Sequence, residues 1–187
     1  MGYKIFNQNE PHFLTFTAVG WIDLFTRQIY RDIFLDSLRY CQDEKGLVIN
    51  AYVIMSNHVH IVARTKPPFE LSAVIRDLKS FTTKTFIKVI ETPKESRQVW
   101  LLNTMSFYAN NNKRNSNYQF WTHDNHPMEI NTLPFATQKI NYIHNNPVKA
   151  GLVKKSWHFQ YSSASNYISK GGLIDIEIIE ASSLGRI

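Results

Sequence analysis

Hydrophobic residues in the first third of the chain predict a strand, a helix and two further strands. Residues 12–19 are rich in aromatic and β-branched side chains, as strands are, and Gly20 ends the run. From Arg27 to Lys45 apolar residues recur every three or four positions, which predicts a helix with this buried side: Ile29, Ile33, Phe34, Leu38 and Cys41. The apolar run Leu47 to Ile54 predicts a second strand, and a tight turn at residues 55–57 leads into a third strand from His58.

The remaining pattern predicts two helices, a fourth strand and a C-terminal segment. A helix follows Pro67-Pro68, with an apolar stripe formed by Leu71, Val74, Ile75, Leu78, Phe81 and Thr82. Residues 91–117 contain Pro93 and several asparagines, so their later part is predicted to be an exposed loop, and residues 118–121 a fourth strand. Thr132 and Pro134 begin a third helix that we expect to end by Pro147, with this buried stripe: Leu133, Ala136, Ile140 and Ile143.

The order strand, helix, strand, strand, helix, strand is that of a ferredoxin-like fold. We therefore predict the α+β class, with a ferredoxin-like split β-α-β antiparallel sheet and an added C-terminal helix. Both of the first two helices would cover one face and leave the other open for a site. Residues 1–187 are interpreted as a single domain with its core at about 10–165, and 166–187 as an extension of unknown role in which 173–179 alternates weakly like a strand.

Composition favours an anionic partner. The chain has 21 Lys and Arg against 15 Asp and Glu, a net charge of +6 and a pI near 9.4, so nucleic acid is the leading candidate. Cys41 is the single cysteine, which excludes a disulfide within the chain. No N-terminal signal pattern and no run of the roughly 18 apolar residues of a membrane span is present. We expect a cytoplasmic protein with no membrane partner.

Two histidines at the start of the third strand are candidate metal ligands. Alternate side chains of a strand point to opposite faces, so His58 and His60 share one face and their imidazoles can hold one cation. A histidine at position 62 would have supplied a third candidate ligand, but this position is occupied by Val62. From this pattern alone, two histidines without a metal are the alternative.

One face of the third helix carries Lys139, Tyr142 and Asn146 at spacings of three and four. Tyr142 and Asn146 therefore stand one turn apart. By spacing alone, Tyr142 packs at the edge of the core and Asn146 occupies the end of the helix, where asparagine is common before proline.

Longer motifs resemble a known family. The chain is similar to the single-tyrosine HUH transposases, specifically the REP-associated tyrosine transposase branch of the IS200-like superfamily. The resemblance covers the chain from about the first strand to Ser163. It is carried by residues 50–60, with Met55-Ser56-Asn57-His58-Val59-His60, by 71–82, by Gln119-Phe120-Trp121, by 142–153, with Tyr142-Ile143-His144-Asn145-Asn146-Pro147-Val148-Lys149-Ala150-Gly151, and by Trp157 and Tyr161-Ser162-Ser163.

The resemblance implies roles for individual residues. His58 and His60 match the histidine pair, Tyr142 the catalytic nucleophile, and Asn146 an amide-bearing third metal ligand, with His144 as the reserve ligand. It also implies Mg²⁺ or Mn²⁺ as cofactor and nicking and strand transfer of single-stranded or hairpin DNA through a 5′-phosphotyrosine. The protein would then be nucleoid-associated in a bacterium when bound to DNA, as a monomer or a homodimer.

Basic residues near these motifs are candidate contacts to the DNA backbone. They are Arg64, Lys66, Arg76, Lys79, Lys113, Arg114, Lys149, Lys154 and Lys155. Two other function classes stay open at this point. One is a non-catalytic nucleic-acid-binding protein on the same fold, and the other is a metal-dependent phosphodiesterase that uses water in place of Tyr142. Whether Tyr142 serves the histidines of its own chain or of a partner is also open.

Overall fold

The structure, a computed structural model, describes residues 4–111 and 117–179. Four strands and four helices make up the frame: β1 His12–Thr17, α1 Gln28–Glu44, β2 Leu47–Ile54, β3 His58–Thr65, α2 Leu71–Ile90, α3 Gln98–Asn110, β4 Met128–Glu129 and α4 Leu133–Lys149. Short 3₁₀ turns lie at Val19–Trp21, Leu24–Thr26, Ser156–His158 and Ser163–Ile168.

The strands form one antiparallel sheet in the order β2-β3-β1-β4. This order, with α1 between β1 and β2 and α2 after β3, is the predicted ferredoxin-like arrangement, and the α+β prediction is confirmed. Its register places Thr15 of β1 directly opposite His60 of β3, and Val53 of β2 on the other side of His60. A bulge at Asn50 interrupts the pairing of β2 with β3.

The two faces of the sheet support two separate hydrophobic clusters. One face packs against α1 and α2 and contains most of the core, including Leu14, Phe16, Val59 and Ile61. On the other face Ala136, Ile140 and Ile143 of α4 pack on Phe13, Ala51, Val53 and Val62. The side chains of His58 and His60 belong to this second face because they alternate with Val59 and Ile61. The face that was expected to be open is therefore partly covered by α4.

Helix α3 lies in the earlier part of residues 91–117, where no helix was predicted, and most of the later part, predicted to be an exposed loop, lies outside the described residues. Its buried residues Leu101, Met105 and Ala109 recur every four positions, but other large apolar side chains of α3 are exposed, including Val99, Trp100 and Phe107. This helix is apolar around most of its circumference and contains no charged residue, so its sequence shows no amphipathic stripe.

The fourth strand also lies elsewhere than expected. Residues 118–121 run beside the end of β1, where Trp121 forms an isolated bridge with Ala18, but they do not form a strand. The edge strand is the two-residue β4, which pairs with His12 and Phe13. Aromatic residues at 118–121 have high strand propensity, yet Phe120 and Trp121 are used to fill the core between the sheet and α2.

Three residues that were predicted to be buried are exposed, and the predicted end of one helix is wrong. Ile29 is 44% exposed, Phe81 59% and Leu133 38%, because each lies at the margin of its helix's buried side. Helix α4 continues through Pro147 to Lys149. A proline so near the end removes one hydrogen bond of the helix, and the backbone N–H groups of the next turn still bond, Ala150 to the carbonyl of Asn146.

The C-terminal residues complete the core without forming the expected strand. The N–H of Glu177 donates to the carbonyl of Ile49, and the side chain of Asn50 donates to the carbonyl of Glu177. Ile174 and Ile179 are buried. Within residues 4–111 and 117–179, none of the helices combines the length and the apolarity needed to cross a bilayer.

A buried carboxylate joins α1 to the segment before α3. Glu95 is only 4% exposed and pairs with Arg27, accepts a hydrogen bond of 2.7 Å from the hydroxyl of Tyr30, and accepts one from the backbone N–H of Arg97. Burial acts to raise the pKa of Glu95, but these hydrogen bonds and the charge of Arg27 outweigh it and lower that pKa. The carboxylate is therefore ionised and stabilises the fold at neutral pH.

Candidate metal and tyrosine site

The histidine pair lies at the start of β3, next to the turn from β2. His58 begins the strand directly after the turn from β2, and the ring centroids of His58 and His60 are 4.8 Å apart. His60 is buried and His58 is half-buried. The two imidazoles thus lie side by side at one end of the α4-covered face, as the alternation of the strand predicts.

Hydrogen bonds to the Nδ1 atoms orient both rings. Nδ1 of His58 lies 2.7 Å from Oδ1 of Asn57, and Nδ1 of His60 lies 2.9 Å from Oγ1 of Thr15. An amide oxygen only accepts, so Nδ1–H of His58 donates to Asn57. The Thr15 hydroxyl can accept from His60 in the same way. In that arrangement the Nε2 lone pairs of both rings are left to bind a cation, and the neighbours on Nδ1 fix the tautomer.

Burial keeps both imidazoles neutral. It lowers the pKa of His58, and it lowers that of His60 to about 3, with smaller contributions from His58 and from the charge of Lys139. Only a neutral imidazole can be a metal ligand, so the environment of the pair favours the ligating form at physiological pH.

Tyr142 reaches the pair from α4 of the same chain. Its hydroxyl oxygen is 3.4 Å from Nε2 of His60, and the ring centroids are 5.1 Å apart. The ring also meets Phe13 edge-on at 6.0 Å. Tyr142 is 42% exposed, so the residue lies partly at the surface of the protein.

Both ends of α4 are fixed by capping. Oγ1 of Thr132 accepts the N–H of Phe135, as predicted for this N-cap, and Pro134 lies in the first turn. At the other end Leu152 N–H bonds the carbonyl of Pro147 and Gly151 N–H bonds that of Val148. This pair of bonds is a Schellman motif, and it requires the positive φ of 71° that Gly151 adopts.

Asn146 lies one helical turn after Tyr142 and is half-buried. Among the residues that the structure describes, no three His, Cys, Asp or Glu side chains come together as a metal site. A cation here would therefore be held by the Nε2 atoms of His58 and His60, with oxygen ligands from an amide, a phosphate or water. That donor set fits a divalent cation of the first transition row and is compatible with Mg²⁺.

The reserve ligand His144 points away from the pair. Its Nε2 lies 2.9 Å from Oγ of Ser163, and its ring packs edge-on against Tyr167. The structure thus brings Tyr142 to the histidine pair and engages His144 elsewhere.

One predicted DNA contact, Lys149, lies beside Tyr142, and two others, Lys154 and Lys155, follow α4. The ammonium of Lys149 lies 5.9 Å from the centre of the Tyr142 ring, and Lys155 lies 5.2 Å from that of Trp157. Lys154 is exposed between them in sequence. Lys139, which sequence analysis did not select for DNA contact, lies 4.7 Å from the ring of Phe13 and adds a positive charge near His60.

The other basic candidates are spread over the molecule. Arg64 is paired with Glu177 and Arg76 with Asp77, while Lys66 is exposed after β3. Lys79 is largely buried and its ammonium donates to the carbonyl of Thr122 and to Oδ1 of Asn125. Burial lowers the pKa of Lys79 to about 8, against the opposing charge of Asp124. Lys113 and Arg114 lie outside the described residues.

The residues that support the histidines, Thr15 and Asn57, were not predicted from the sequence. Thr15 lies on a different strand, and nothing local in the sequence links it to His60. Asn57 directly precedes His58, and an amide beside a candidate ligand is the one signal that was available.

Known proteins resemble this chain in sequence pattern and in fold. A search of the curated proteins found no match. Among solved structures, the chain is similar over its whole length to 98% of a REP-associated tyrosine transposase solved with a REP hairpin, at 18% identity and a TM-score of 0.61. It also matches, over 78% of its length, 96% of a protein from Deinococcus radiodurans R1 described as a transposase, at 14% identity and a TM-score of 0.46. Residues 22–146 match the family model "Transposase IS200 like". This match covers more than half of the chain and includes every strand of the sheet except β1. The protein therefore belongs to the IS200-like transposase family.

Proposed function

We propose that the protein is a metal-dependent transposase-type enzyme that nicks single-stranded DNA and transfers the strand through a phosphotyrosine at Tyr142. The observation that supports this most directly is the 3.4 Å between the Tyr142 hydroxyl and Nε2 of His60. A phenol, two neutral imidazoles and an accessible surface meet at one point of a chain that belongs to a transposase family.

In the proposed reaction the oxygen of Tyr142 attacks the phosphorus of a DNA phosphodiester. A bond from the tyrosine oxygen to phosphorus forms and the bond from phosphorus to the 3′ oxygen breaks. The phenol gives up its proton and the leaving 3′ oxygen takes one up. The products are a 5′-phosphotyrosine and a free 3′-OH. Because the phosphotyrosine preserves the ester, attack by a second DNA 3′-OH reseals the strand and releases Tyr142.

A tyrosine with its ordinary pKa of about 10 is a weak nucleophile at neutral pH. A divalent cation on His58, His60 and Asn146 would supply Lewis-acid activation of the phosphate and favour the phenolate. The protein's own contribution is positional: β3 holds the imidazoles, Asn57 and Thr15 hold their rings, and α4 holds Tyr142 and Asn146 one turn apart. We propose Mg²⁺ or Mn²⁺, of which Mn²⁺ binds nitrogen ligands more tightly.

Single-stranded or hairpin DNA is the proposed substrate. Lys139 and Lys149 beside Tyr142, and Lys154 and Lys155 after α4, would contact backbone phosphates. The similar REP-associated transposase was solved with a REP hairpin. Since Tyr142 and the histidine pair meet within one chain, we propose that a monomer can carry out the nicking step. The site of action would be the bacterial cytoplasm, on the nucleoid.

The test is incubation of labelled hairpin DNA with the protein and Mn²⁺, followed by denaturing electrophoresis. The proposal predicts a labelled species of protein size with the wild type and none with Tyr142→Phe. Cleavage without an adduct in both proteins would identify the water-driven phosphodiesterase. DNA binding without cleavage in either would identify a non-catalytic binding protein.

A further inference from the structure

The Tyr161-Ser162-Ser163 segment is outside the proposed catalytic residues, yet it contacts several elements around them. It runs antiparallel to β2, where Ile54 N–H donates to the carbonyl of Tyr161 and Ser162 forms a bridge with Val53. The hydroxyl of Tyr161 donates to Asp32, and the guanidinium of Arg31 lies 4.1 Å from the centre of its ring. The segment thus extends the sheet beyond β2 and attaches it to α1.

Ser163 uses its whole hydrogen-bonding capacity at this point. Its hydroxyl accepts the N–H of Tyr52 at 2.9 Å and donates to the carbonyl of Tyr52 at 3.3 Å. Nε2 of His144 lies 2.9 Å from the same hydroxyl oxygen, and in the tautomer with hydrogen on Nε2 this nitrogen donates to Ser163. Ser163 is fully buried and His144 is 7% exposed, so water does not replace these bonds.

The hydrogen bond connects the two halves of the catalytic site. His144 is on α4, two residues after Tyr142. Ser163 is bonded to Tyr52, and the next residue, Val53, pairs with His60 on β3. The helix that presents the phenol and the strand that presents the imidazoles are therefore linked through a short, buried and directional contact.

Apolar packing alone would restrict the rotation of α4 about its axis less than packing combined with the His144–Ser163 hydrogen bond. The contacts of Ala136, Ile140 and Ile143 with the sheet are non-directional, whereas a hydrogen bond loses strength when its angle changes. Side chains two residues apart on a helix project about 200° apart, so Tyr142 and His144 lie on different sides of α4. A rotation of about 10° would move a tyrosine hydroxyl, about 9 Å from the helix axis, by about 1.5 Å.

We propose that His144 and Ser163 are positioning residues that hold Tyr142 at the distance its attack requires. This inference rests on the proposed function. A misplacement of about 1 Å in an enzyme can lower the rate of the chemical step about 100-fold. Loss of the His144–Ser163 bond should therefore lower the rate of adduct formation at saturating DNA, while the half-saturating DNA concentration stays the same.

The experiment compares wild type, Ser163→Ala and the control Ser162→Ala. Within the described residues, the hydroxyl of Ser162 accepts the N–H of Ala164 and forms no hydrogen bond with α4. We expect the adduct rate of Ser163→Ala at saturating hairpin DNA and Mn²⁺ to fall at least tenfold, with half-saturation within twofold of wild type, and that of Ser162→Ala to fall less than threefold. A folded Ser163→Ala protein with the wild-type rate would overturn the proposal, as would equal losses in the two variants.

A pair of substitutions at the other end of the bond keeps the test decisive if Ser163→Ala does not fold. His144→Gln places an amide N–H near the position of Nε2, whereas His144→Leu preserves bulk without a donor. The proposal predicts that His144→Gln retains most of the rate and that His144→Leu loses it, and equal rates would contradict it.

A measurement on the DNA-free protein does not depend on the proposed reaction. In NMR spectra of the histidine ring nitrogens, Ser163→Ala should shift the signals of His60 towards those of Tyr142→Phe, because the phenol moves away. Unchanged His60 signals would overturn the positioning role. A wild-type protein that forms no adduct would instead overturn the proposed function.

Discussion

The hydroxyl oxygen of Tyr142 lies 3.4 Å from Nε2 of His60, although the two residues are 82 positions apart in the chain. The contact exists because α4 packs on the face of the sheet from which the side chain of His60 emerges. Thr15 and Asn57 lie within hydrogen-bonding distance of the Nδ1 atoms of the two imidazoles, so the phenol of Tyr142 and the histidine pair share one partly exposed site.

Asn146 is predicted to be the third protein ligand. Asn146→Ala should weaken Mn²⁺ binding, measured by electron paramagnetic resonance of the free ion, because one oxygen ligand is lost. His60→Ala should weaken it further, since a nitrogen ligand binds Mn²⁺ more strongly than an amide oxygen. The matched control is Asn145→Ala, whose side chain is exposed on the same turn of α4. Equal affinity in the two asparagine variants would remove Asn146 from the site.

Thr15 is predicted to support metal binding through His60. Thr15→Val removes the hydroxyl 2.9 Å from Nδ1 of His60 while preserving the shape of the side chain. Loss of such a supporting hydrogen bond costs about 10- to 100-fold in metal affinity or activity. The control is Thr85→Val, whose hydroxyl bonds only the preceding turn of α2. Calorimetric Mn²⁺ titration of both variants measures the difference, and equal affinities would refute the supporting role.

The salt dependence of DNA binding should distinguish the basic residues that contact DNA from those that do not. Lys149→Ala is expected to weaken binding to single-stranded DNA and to reduce the slope of log affinity against log salt by about 0.7, the value for one phosphate contact. Lys79→Gln should leave the slope unchanged, because the ammonium of Lys79 is occupied by Thr122 and Asn125. Fluorescence anisotropy at several salt concentrations gives both slopes. A reduced slope in folded Lys79→Gln would assign Lys79 to the DNA interface.

The buried Glu95 should make stability depend on pH. Its lowered pKa means that its contribution is complete above the ordinary value of 4.5 and is lost as the pH falls through the lower value in the folded protein. Glu95→Gln should lower the free energy of unfolding at pH 7 by about 2–3 kcal/mol, since hydrogen bonds to a charge are lost.

Urea unfolding of wild type and Glu95→Gln from pH 7 to pH 3 measures this contribution. The difference between the two proteins should be constant down to about pH 5 and should shrink as the pH falls below the ordinary glutamate pKa of 4.5. Glu91→Gln, at an exposed position, is the control. A difference that is independent of pH would show that Glu95 does not stabilise the fold through its charge.

Most helices and strands could be predicted because hydrophobic residues recur with a clear period in elements that have one buried side. Residues 28–44, 71–90 and 133–149 have such patterns, whereas β2, which is buried at every position, was predicted from a continuous apolar run. The ferredoxin-like order followed from these elements. Helix α3 could not be predicted from a stripe, because Val99, Trp100 and Phe107 place apolar residues on its exposed side. A two-residue strand such as β4 has no pattern of its own, so its place depends on pairing with His12 and Phe13.

The candidate site was predictable only in part. Strand alternation placed His58 and His60 together, and helical spacing placed Tyr142 and Asn146 on one side. The meeting of these two groups came from resemblance to a family, since spacing within α4 does not determine which face of the sheet it covers. Thr15 and the bond between His144 and Ser163 depend on the packing of residues distant in sequence, which no local pattern reveals.

Mass spectrometry of the protein after incubation with hairpin DNA and Mn²⁺ tests the central claim most directly. Nuclease and protease digestion should leave a nucleotide attached through its 5′ phosphate to the peptide that contains Tyr142, and His60→Ala should abolish that species. Cleaved DNA with an unmodified Tyr142 peptide, or a nucleotide on a different tyrosine, would contradict the account.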